Sequence, residues 1–317
     1  MAFVWKDKRV LITGLTGFYG SFLGNVLVEK GAKIFSLVRI SSQEHLCEYP
    51  KSANIVKGDL RYEDDINEVM SLAEPDIVFH LAAFTHVGDS FKNRKECWDI
   101  NFGGTVKLIE CVDKYDVEKF IFAGSSEEYG NQDKLPISEN AALRPESPYA
   151  CSKVATDLYC QMMWKAYKLP VVIVRPFNTF GRKHDRRFVV EKIIYSFSTG
   201  KPLLLGDGRP TRDFNYIEDM VNGYISIAES KKTVGEVINL GSGVETSIKD
   251  LVNIVSRISN KKIKVKWNTF PPRPNDVWRL QCDNTKAKKL INWSPKFSLE
   301  DGIKLTMKNF MCEQCDD

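Results

Sequence analysis

The chain has 317 residues, of which 43% are hydrophobic and 27% charged, so it is long enough to bury a substantial core. Its formal net charge is +4, and the charges are mixed along the chain, whereas a nucleic-acid-binding protein would carry a basic stripe with aromatic residues. No stretch is long and apolar enough to span a bilayer, and residues 1–9 make a poor secretory signal, so we expect neither a nucleic-acid nor a membrane partner.

The eight cysteines are scattered along the chain, and several lie within apolar helical patterns. Unpaired thiols are typical of a reducing compartment, so we expect a cytoplasmic protein. Cys312 and Cys315 form a CxxC pair in the segment 311–317, with no second pair and no nearby histidine. We therefore expect a flexible tail there, and the sequence predicts no metal site.

The chain begins with the pattern of a strand, a glycine turn and a helix. The strand spans Arg9 to Thr13, the turn Gly14 to Gly20 and the helix Ser21 to Lys30. Glycines allow a tight turn and close backbone approach, and the helix amino terminus offers amide groups to a pyrophosphate. The motif alone is also compatible with an ordinary connection between a strand and a helix.

The second predicted strand, Lys33 to Val38, bears on the choice of cofactor. NAD-binding folds often carry an acid at the end of this strand, whereas an arginine accommodates the 2′-phosphate of NADP. Here Val38 holds that position and Arg39 follows it. The sequence therefore favours NADP, with NAD as the alternative and a solvated Arg39 as the simpler interpretation.

Strands and helices continue to alternate up to residue 115. The predicted elements are strand Asn54–Lys57, helix Asp64–Ala73, strand Asp76–Leu81 and a helical pattern over Asn93–Tyr115. This alternation predicts an α/β fold, a Rossmann-type doubly wound parallel sheet with right-handed crossovers. Asp59 is placed to accept a hydrogen bond from an adenine amine, and the small Ala82 and Ala83 leave room for a ribose. We expect His80 to be a packed core residue and His86 to line the cleft.

The stretch from Lys119 to Lys153 carries the candidate chemistry. An apolar strand ends in Ser125, Ser126 and Glu127, and a helix that Pro148 can start presents Tyr149 and Lys153 on one face. A phenol, an ammonium group, hydroxyl groups and a carboxylate at one site could move a hydride and a proton on the same substrate. Taken singly, these residues could equally be a surface pair, loop caps and solvated charges. We expect Glu128 to be a solvated loop charge.

After residue 175 the alternation becomes irregular. The predicted elements are helix 188–198, helix 220–229, strand 236–240, a helix capped by Ser247 and ending at Ile258, strand 263–267 and helix 299–310. We predict a dinucleotide-binding Rossmann domain over residues 1–175, to which some later segments return. A smaller, interleaved C-terminal α/β lobe over 176–310 would bind the substrate.

Several motifs occur in order along nearly the whole chain: TGLTGFYG, HLAA, SSEEYG, YACSK, RPFN and GDGRPTRDFNY. With them the chain resembles the extended short-chain dehydrogenase/reductase family of nucleotide-sugar epimerases and dehydratases. The resemblance implies a bound nicotinamide cofactor, a nucleoside-diphosphate sugar in the cleft beneath the smaller lobe, and a homodimer or homotetramer. The family commonly pairs through the segment equivalent to Asn93–Tyr115 and the one after Tyr149.

The resemblance also implies which residues form the site. Ser125, Ser126, Glu127, Tyr149 and Lys153 would be catalytic. The cofactor would contact Gly14, Thr16, Gly17, Phe18, Tyr19, Gly20, Arg39, Ser41, Asp59, Leu60, Leu81, Ala82, Ala83, Thr85, Asn101, Tyr149 and Lys153. The substrate would contact His86, Asn178, Val189, Lys192, Arg212, Arg273 and, more weakly, Arg279. Arginine suits a diphosphate because its planar fork donates two hydrogen bonds at once. Structural ion pairs with Asp213 or Asp276 are the alternative for these arginines.

Within the family, the triplet Ser125-Ser126-Glu127 is similar to that of GDP-mannose 4,6-dehydratases, as are VRISS (38–42) and RPNDV (273–277). TGFYG and GDGRPTRDFNY look more like dehydratases of UDP- or dTDP-sugars and like epimerases. The resemblance thus implies a nucleoside-diphosphate-hexose 4,6-dehydratase, with GDP-mannose the first candidate substrate. The alternatives are a 4-keto-6-deoxy sugar-nucleotide reductase, a sugar-nucleotide 4-epimerase, a UDP-glucuronate decarboxylase and a non-catalytic nucleotide sensor.

The expected dehydration begins at Tyr149, whose pKa we expect the Lys153 ammonium group to lower. Tyr149 would take the proton of the sugar 4-hydroxyl group, which Ser125 orients, while a hydride leaves C4. Glu127 would remove the C5 proton, and water would leave C6 with assistance from Ser126 or Glu127. The hydride would then return to C6.

Overall fold

The computed structural model describes residues 3–39, 48–181, 185–271 and 273–313. Of these, residues 311–313 are described by their backbone only. The expected cofactor contact Ser41 and the cysteine Cys315 lie outside these ranges.

A parallel sheet forms the centre of the molecule. In chain order the strands are β1 (Arg9–Thr13), β2 (Lys33–Val38), β3 (Asn54–Lys57), β4 (Ile77–His80), β5 (Lys119–Ala123), β6 (Val171–Pro176), β7 (Thr179–Phe180), β8 (Leu203–Leu204), β9 (Thr211–Asp213), β10 (Asn215–Tyr216), β11 (Val237–Leu240), β12 (Glu245–Ser247) and β13 (Val265–Lys266). Within the described residues, β1 to β6 and β11 form one seven-stranded sheet in the order β3-β2-β1-β4-β5-β6-β11, with every neighbouring pair parallel. The first six strands follow the doubly wound Rossmann order, so the predicted fold is confirmed.

Helices cover both faces of this sheet. They are α1 (Phe18–Glu29), α2 (Glu63–Ala73), α3 (Val87–Ser90), α4 (Arg94–Trp98), α5 (Gly104–Val112), α6 (Pro148–Tyr167), α7 (Val189–Thr199), α8 (Ile217–Glu229), α9 (Ile248–Ser259), α10 (Thr285–Ile291) and α11 (Leu299–Glu313). Successive strand residues point to opposite faces. Val10 and Ile12 therefore join the core that contains α1, α7 and α8, whereas Leu11 joins the core that contains α2, α5 and α6. Burial on both faces explains why these strands read as continuous apolar runs.

The predicted helix over Asn93–Tyr115 is interrupted. A π-helical turn at Asp99–Gly103 separates α4 from α5, which ends at Val112. In this turn the Asn101 side chain accepts a hydrogen bond from the Phe84 amide at 2.7 Å and donates one to the Ser152 hydroxyl group at 2.9 Å. The side-chain bonds of Asn101 thus join the turn to α6 and to the loop after β4, a long-range contact that helical periodicity does not encode.

The chain after β6 forms a lobe beside the carboxyl edge of the sheet. Its described strands pair as β7 with β10, β9 with β12 and β8 with β13. The buried Asp213 carboxylate accepts hydrogen bonds from the amides of Ser242, Gly243 and Cys282, and so ties β9 to two distant loops. Because β11 returns to the central sheet, the lobes interleave, and the boundary at residue 175 stays a prediction.

Several element ends differ from the predicted ones. The helices α1 and α8 each begin three residues earlier than expected, and the strand expected over 263–267 is limited to β13. The last helix continues to Glu313, three residues into the predicted tail. Among the described helices, none combines the length and apolarity needed to cross a bilayer.

Candidate active site

A cleft of about 2280 Å³ lies at the carboxyl ends of the central strands. Pockets for small molecules are typically about 300–1,000 Å³, so this cleft has room for more than one ligand. The expected cofactor contacts that line it are Gly14, Thr16, Gly17, Phe18, Tyr19, Gly20, Arg39, Asp59, Leu60, Leu81, Ala82, Ala83, Thr85 and Tyr149. The sheet order reverses between β1 and β4, which is where doubly wound folds bind ligands.

The glycine turn at one end of the cleft fits a dinucleotide pyrophosphate. Gly14 has φ +77°, and a Cβ there would lie 2.9 Å from the Ala82 backbone, so the turn requires glycine. Gly17 caps α1 and has no side chain to cover the amide groups of the first turn. Backbone amides and the positive end of the helix dipole therefore face the cleft, the arrangement that binds phosphate.

Two of the expected cofactor contacts have protein partners of their own. The Asp59 carboxylate accepts hydrogen bonds from Arg61 Nε at 3.1 Å and Nη2 at 2.8 Å, a partner that the sequence reasoning missed. Burial acts to raise the pKa of Asp59, but the hydrogen bonds from Arg61 outweigh it and lower the pKa. Asn101 is buried and does not line the cleft. Its side-chain bonds to the Phe84 backbone hold the loop that carries Thr85, and its predicted contact with the cofactor stays a prediction.

His80 is a core residue, as predicted. Its ring nitrogens lie 2.7 Å from the hydroxyl oxygens of Thr13 and of Thr105. Burial, with the charge of Lys153, lowers the pKa of His80 to about 3, so the ring is neutral.

The candidate catalytic residues Ser125, Ser126, Glu127 and Tyr149 line the same cleft. Ser125 follows β5 and caps a 3₁₀ turn over Ser126–Tyr129, whose first residues it turns towards the cleft. Tyr149 lies in the first turn of α6, which Ser147 caps by accepting from the Ala150 amide at 3.1 Å. Residues far apart in sequence thus meet at one site, although their chemical roles remain predictions.

The electrostatics of Tyr149 differ from our expectation. Burial raises the pKa of Tyr149, and a hydrogen bond with Ser125 is the largest opposing effect. Lys153 instead donates to the Ala123 carbonyl at 2.7 Å and lies 4.9 Å from the Phe122 ring centroid. Burial lowers the pKa of Lys153 to about 8, so it stays charged at neutral pH. The expected lowering of the Tyr149 pKa by Lys153 is therefore wrong for this geometry, because burial dominates at the phenol.

The other end of the cleft is lined by charged residues. Arg212 Nε lies 3.9 Å from Glu127 Oε1, and Arg212 Nη2 lies 3.5 Å from Asp276 Oδ1. Arg273 pairs with the same Asp276 oxygen at 3.3 Å. Both expected phosphate-binding arginines thus face the cleft while paired with carboxylates. The ion pairs expected as the structural alternative are present, and phosphate binding stays a prediction.

Of the remaining expected substrate contacts, all except Arg279 line the cleft. His86, Asn178, Val189 and Lys192 line the cleft. The Asn178 Oδ1 atom is buried with no hydrogen-bond partner among the described residues, so it can accept one from a ligand. Arg279 does not line the cleft and pairs with Glu245 instead. The structure thus places Arg279 outside the cleft lining, and its role as a substrate contact stays a prediction.

The predicted exposure of Glu128 is wrong. The residue was expected to be solvated, but its side chain is fully buried and pairs with Arg175, Nε to Oε2, at 3.2 Å. Ser125 and Glu128 form a capping box in which the Glu128 side chain accepts from the Ser125 amide. The spacing Ser-x-x-Glu is the sequence signature of this motif and could have revealed it.

No group of three or more His, Cys, Asp or Glu side chains within the described ranges could hold a metal ion. The cysteine side chains that the structure describes, Cys97, Cys111, Cys151, Cys160 and Cys282, are all free thiols.

The sequence is similar to those of known nucleotide-sugar enzymes. A family model described as GDP-mannose 4,6 dehydratase matches residues 11–306. A putative UDP-glucose 4-epimerase of Methanocaldococcus jannaschii is 31% identical over 303 residues, which cover 93% of this chain and 96% of the relative. The dTDP-D-glucose 4,6-dehydratase of Mus musculus is 29% identical over 321 residues, which cover 96% of this chain and 90% of the relative.

Among solved structures, the UDP-glucose 4-epimerase of Thermus thermophilus in complex with NAD superposes with a TM-score of 0.88. It is 28% identical, and the match covers 96% of this chain and 99% of that one. The chain therefore belongs to the extended short-chain dehydrogenase/reductase family of nucleotide-sugar epimerases and dehydratases.

Proposed function

We propose that the protein is a nucleoside-diphosphate-hexose 4,6-dehydratase that forms a 4-keto-6-deoxy sugar. The observation that carries the proposal is the position of Glu127. Its carboxylate lines the cleft together with Ser125, Ser126 and Tyr149. Such a carboxylate can serve as the base that an elimination requires, whereas simple hydride transfer at C4 needs only the hydroxyl and phenol groups.

A bound nicotinamide supplies a hydride acceptor that later returns the same hydride, so the overall reaction is redox-neutral. For this step Tyr149 acts as a phenolate, a form that burial disfavours in the protein alone and that the positive charge of a bound oxidised nicotinamide would favour. The phenolate takes the proton of the sugar 4-hydroxyl group, and Ser125 donates a hydrogen bond to that oxygen. The 4-ketone acidifies the C5 hydrogen, which Glu127 removes as a proton. Water leaves C6 with a proton from Ser126 or Glu127, and the hydride that left C4 returns to C6.

For the substrate, we propose GDP-mannose as the first candidate and UDP- or dTDP-hexoses as the next. The triplet Ser125-Ser126-Glu127 and the matching family model support GDP-mannose. Arg212 and Arg273 are suitable partners for the diphosphate because each lies in the cleft and can donate two parallel hydrogen bonds. The two relatives are named a putative UDP-glucose 4-epimerase and a dTDP-D-glucose 4,6-dehydratase, which keeps those nucleotides as candidates.

The cofactor we propose is NADP, although the Thermus thermophilus relative binds NAD. The cofactor half of the cleft includes Val38, which holds the position where an NAD enzyme would carry an acid, and the guanidinium group of Arg39, which follows it. The free thiols support our proposal of a cytoplasmic location.

A sugar-nucleotide 4-epimerase is the second candidate, because the Methanocaldococcus jannaschii relative carries that name. An epimerase would use Ser125 and Tyr149 but needs no base at C5. A reductase likewise needs no base at C5, so the need for Glu127 distinguishes a dehydratase from both. A UDP-glucuronate decarboxylase would be recognised by loss of carbon dioxide.

Glu127→Gln tests the proposal, because it keeps the shape of the side chain and removes the base. We expect C4 oxidation to continue, seen as absorbance of the reduced nicotinamide, while water loss falls at least about 100-fold. Asp207→Asn is the matched control, because Asp207 is another carboxylate that lines the cleft but pairs with Arg209, and it should retain most of the activity. Product formation that is unchanged in Glu127→Gln would contradict the dehydratase assignment and favour the epimerase.

A further inference from the structure

Glu128, Arg175 and Asp157 form a buried charged cluster directly behind the candidate catalytic residues. All three side chains are at most 3% exposed. Arg175 Nε lies 3.2 Å from Glu128 Oε2 and 2.9 Å from Asp157 Oδ2. The guanidinium group also donates to the Tyr129 hydroxyl group at 3.0 Å. Burying three ionisable groups is costly, so the cluster calls for an explanation beyond packing.

The cluster connects the elements that carry the candidate site. Glu128 belongs to the 3₁₀ turn after β5, Arg175 lies in β6, and Asp157 lies on α6 one helical turn after Lys153. Residues four apart on a helix share a face, so Asp157 and Lys153 both point towards β5 and β6. Arg175 therefore joins the turn that presents Ser125 to the helix that presents Tyr149.

Glu128 contacts Ser125 directly. The Glu128 Oε1 atom accepts a hydrogen bond from the Ser125 amide at 2.7 Å, and the Ser125 Oγ atom accepts one from the Glu127 amide at 3.2 Å. These bonds restrain the backbone of Ser125 and the rotation of its side chain. Ser125 and Tyr149 line the same cleft, and the Ser125 hydroxyl group acts to lower the pKa of the Tyr149 phenol.

The packing around Gly124 is adapted to this carboxyl group. A Cβ at Gly124 would lie 2.6 Å from Glu128 Oε1 and 3.1 Å from the Val174 carbonyl oxygen. Only glycine leaves the Glu128 carboxyl group enough room to reach the Ser125 amide.

We propose that Glu128 is a positioning residue, which Arg175 holds in place so that its carboxyl group fixes the Ser125 hydroxyl group against Tyr149. Glu128 does not line the cleft, so it acts through Ser125. The proposal rests on the proposed function only in that Ser125 is taken to orient the substrate oxygen.

The test compares Glu128→Leu with Glu128→Gln. Leucine fills a similar volume without an acceptor, whereas glutamine keeps an oxygen that can accept from the Ser125 amide. Both variants leave the Arg175–Asp157 pair intact, so we expect both to fold. In Glu128→Leu we expect kcat for C4 oxidation to fall about 10- to 100-fold, since small misplacements of reacting groups cost rate steeply. The KM for the sugar nucleotide should change less than about twofold, and Glu128→Gln should restore most of kcat.

Glu139→Leu is the matched control. Its carboxylate also accepts from a main-chain amide, that of Asn239 at 2.9 Å, and its backbone carbonyl accepts from Arg175. Among the described residues, the hydrogen bonds of its side chain and carbonyl do not involve Ser125. If Glu139→Leu lowers kcat as much as Glu128→Leu does, or if Glu128→Leu is fully active, the proposal is wrong. If Glu128→Leu does not fold, Gly124→Ala displaces the same carboxyl group and must show the same fall in kcat.

A crystal structure of Glu128→Leu separates this proposal from the proposed function. We expect the Ser125 hydroxyl group to rotate away from Tyr149, whether or not a substrate is known. An unmoved Ser125 would overturn the positioning role. Failure of the unsubstituted protein to oxidise any sugar nucleotide would instead count against the proposed function.

Discussion

At the residue scale, we propose that Arg39 selects NADP over NAD. It lines the cleft at the end of β2, next to Val38. We expect Arg39→Ala to weaken NADP binding about 10- to 100-fold, because charge-assisted hydrogen bonds to a 2′-phosphate would be lost. NAD binding should change little, which titration of both cofactors would measure. Arg209→Ala, a cleft arginine paired with Asp207, is the control. Equal weakening of NADP and NAD would contradict the NADP assignment.

Single residues were predictable where the signal is local. The glycine turn, Tyr149 and Lys153 follow from spacing along one strand or helix, and the structure places the turn and Tyr149 in the cleft. Glu128 was misread because its partner, Arg175, is brought beside it only by the folded packing. A carboxylate in a loop looks solvated in sequence, and only the tertiary structure reveals a buried guanidinium group beside it.

At the element scale, Lys119 anchors the carboxyl end of α8 to β5. Its ammonium group is buried and donates to the carbonyl oxygens of Ile227, Ala228 and Ser230 at 2.7–2.9 Å. The last carbonyl groups of a helix lack partners within it, so a cation there satisfies them. Burial lowers the pKa of Lys119 to about 8, so the group remains charged at neutral pH.

We expect Lys119→Met to lower the free energy of unfolding by about 2–4 kcal/mol, because buried carbonyl groups lose their donor. Denaturant unfolding would measure the change. Lys8→Met is the matched control, since Lys8 pairs with Asp76 and Glu118 near the surface. Such exposed pairs contribute less than about 1 kcal/mol. An equal loss in the two variants would contradict the capping role of Lys119.

Elements were predictable as far as their periodicity extends. Buried parallel strands and amphipathic helices were found in the right order, but the π-helical turn within Asn93–Tyr115 was not. That turn coincides with the side-chain bonds of Asn101 to distant residues, and such bonds leave no periodic signal in the sequence.

At the scale of the whole molecule, an apolar face on α4 and α6 is exposed in the single chain. Trp98, Leu158 and Met162 are 44%, 53% and 38% exposed, and the Trp98 ring contacts Phe102 at 5.2 Å. This face lies on the segments through which the family commonly pairs, so we propose a homodimer there. Large exposed apolar residues close together are typical of an interface.

We expect Leu158→Glu to convert a dimer of twice 36.1 kDa into a monomer, measured by sedimentation equilibrium. Leu72→Glu is the control, because Leu72 is 51% exposed but lies on α2. A wild-type monomer, or a dimer that Leu158→Glu leaves intact, would contradict the proposed interface.

The order of the central sheet was predictable from the alternation of strands and helices, since right-handed crossovers leave few arrangements. The return of β11 to that sheet was anticipated only in general terms. The segment that joins the central sheet is decided by how well distant apolar surfaces pack together, and this packing cannot be read from the sequence.

The most direct test of the central claim, a redox-neutral 4,6-dehydration, is mass spectrometry of products from sugar nucleotides deuterated at C4. GDP-mannose, dTDP-glucose, UDP-glucose, UDP-N-acetylglucosamine and UDP-glucuronate would each be incubated with the protein and with NADP⁺ or NAD⁺, alongside Tyr149→Phe as the inactive control. We predict that one of them loses a single water and retains its deuterium, because the hydride that leaves C4 returns to C6. An unchanged mass with an inverted C4 centre, or loss of carbon dioxide, would contradict the account.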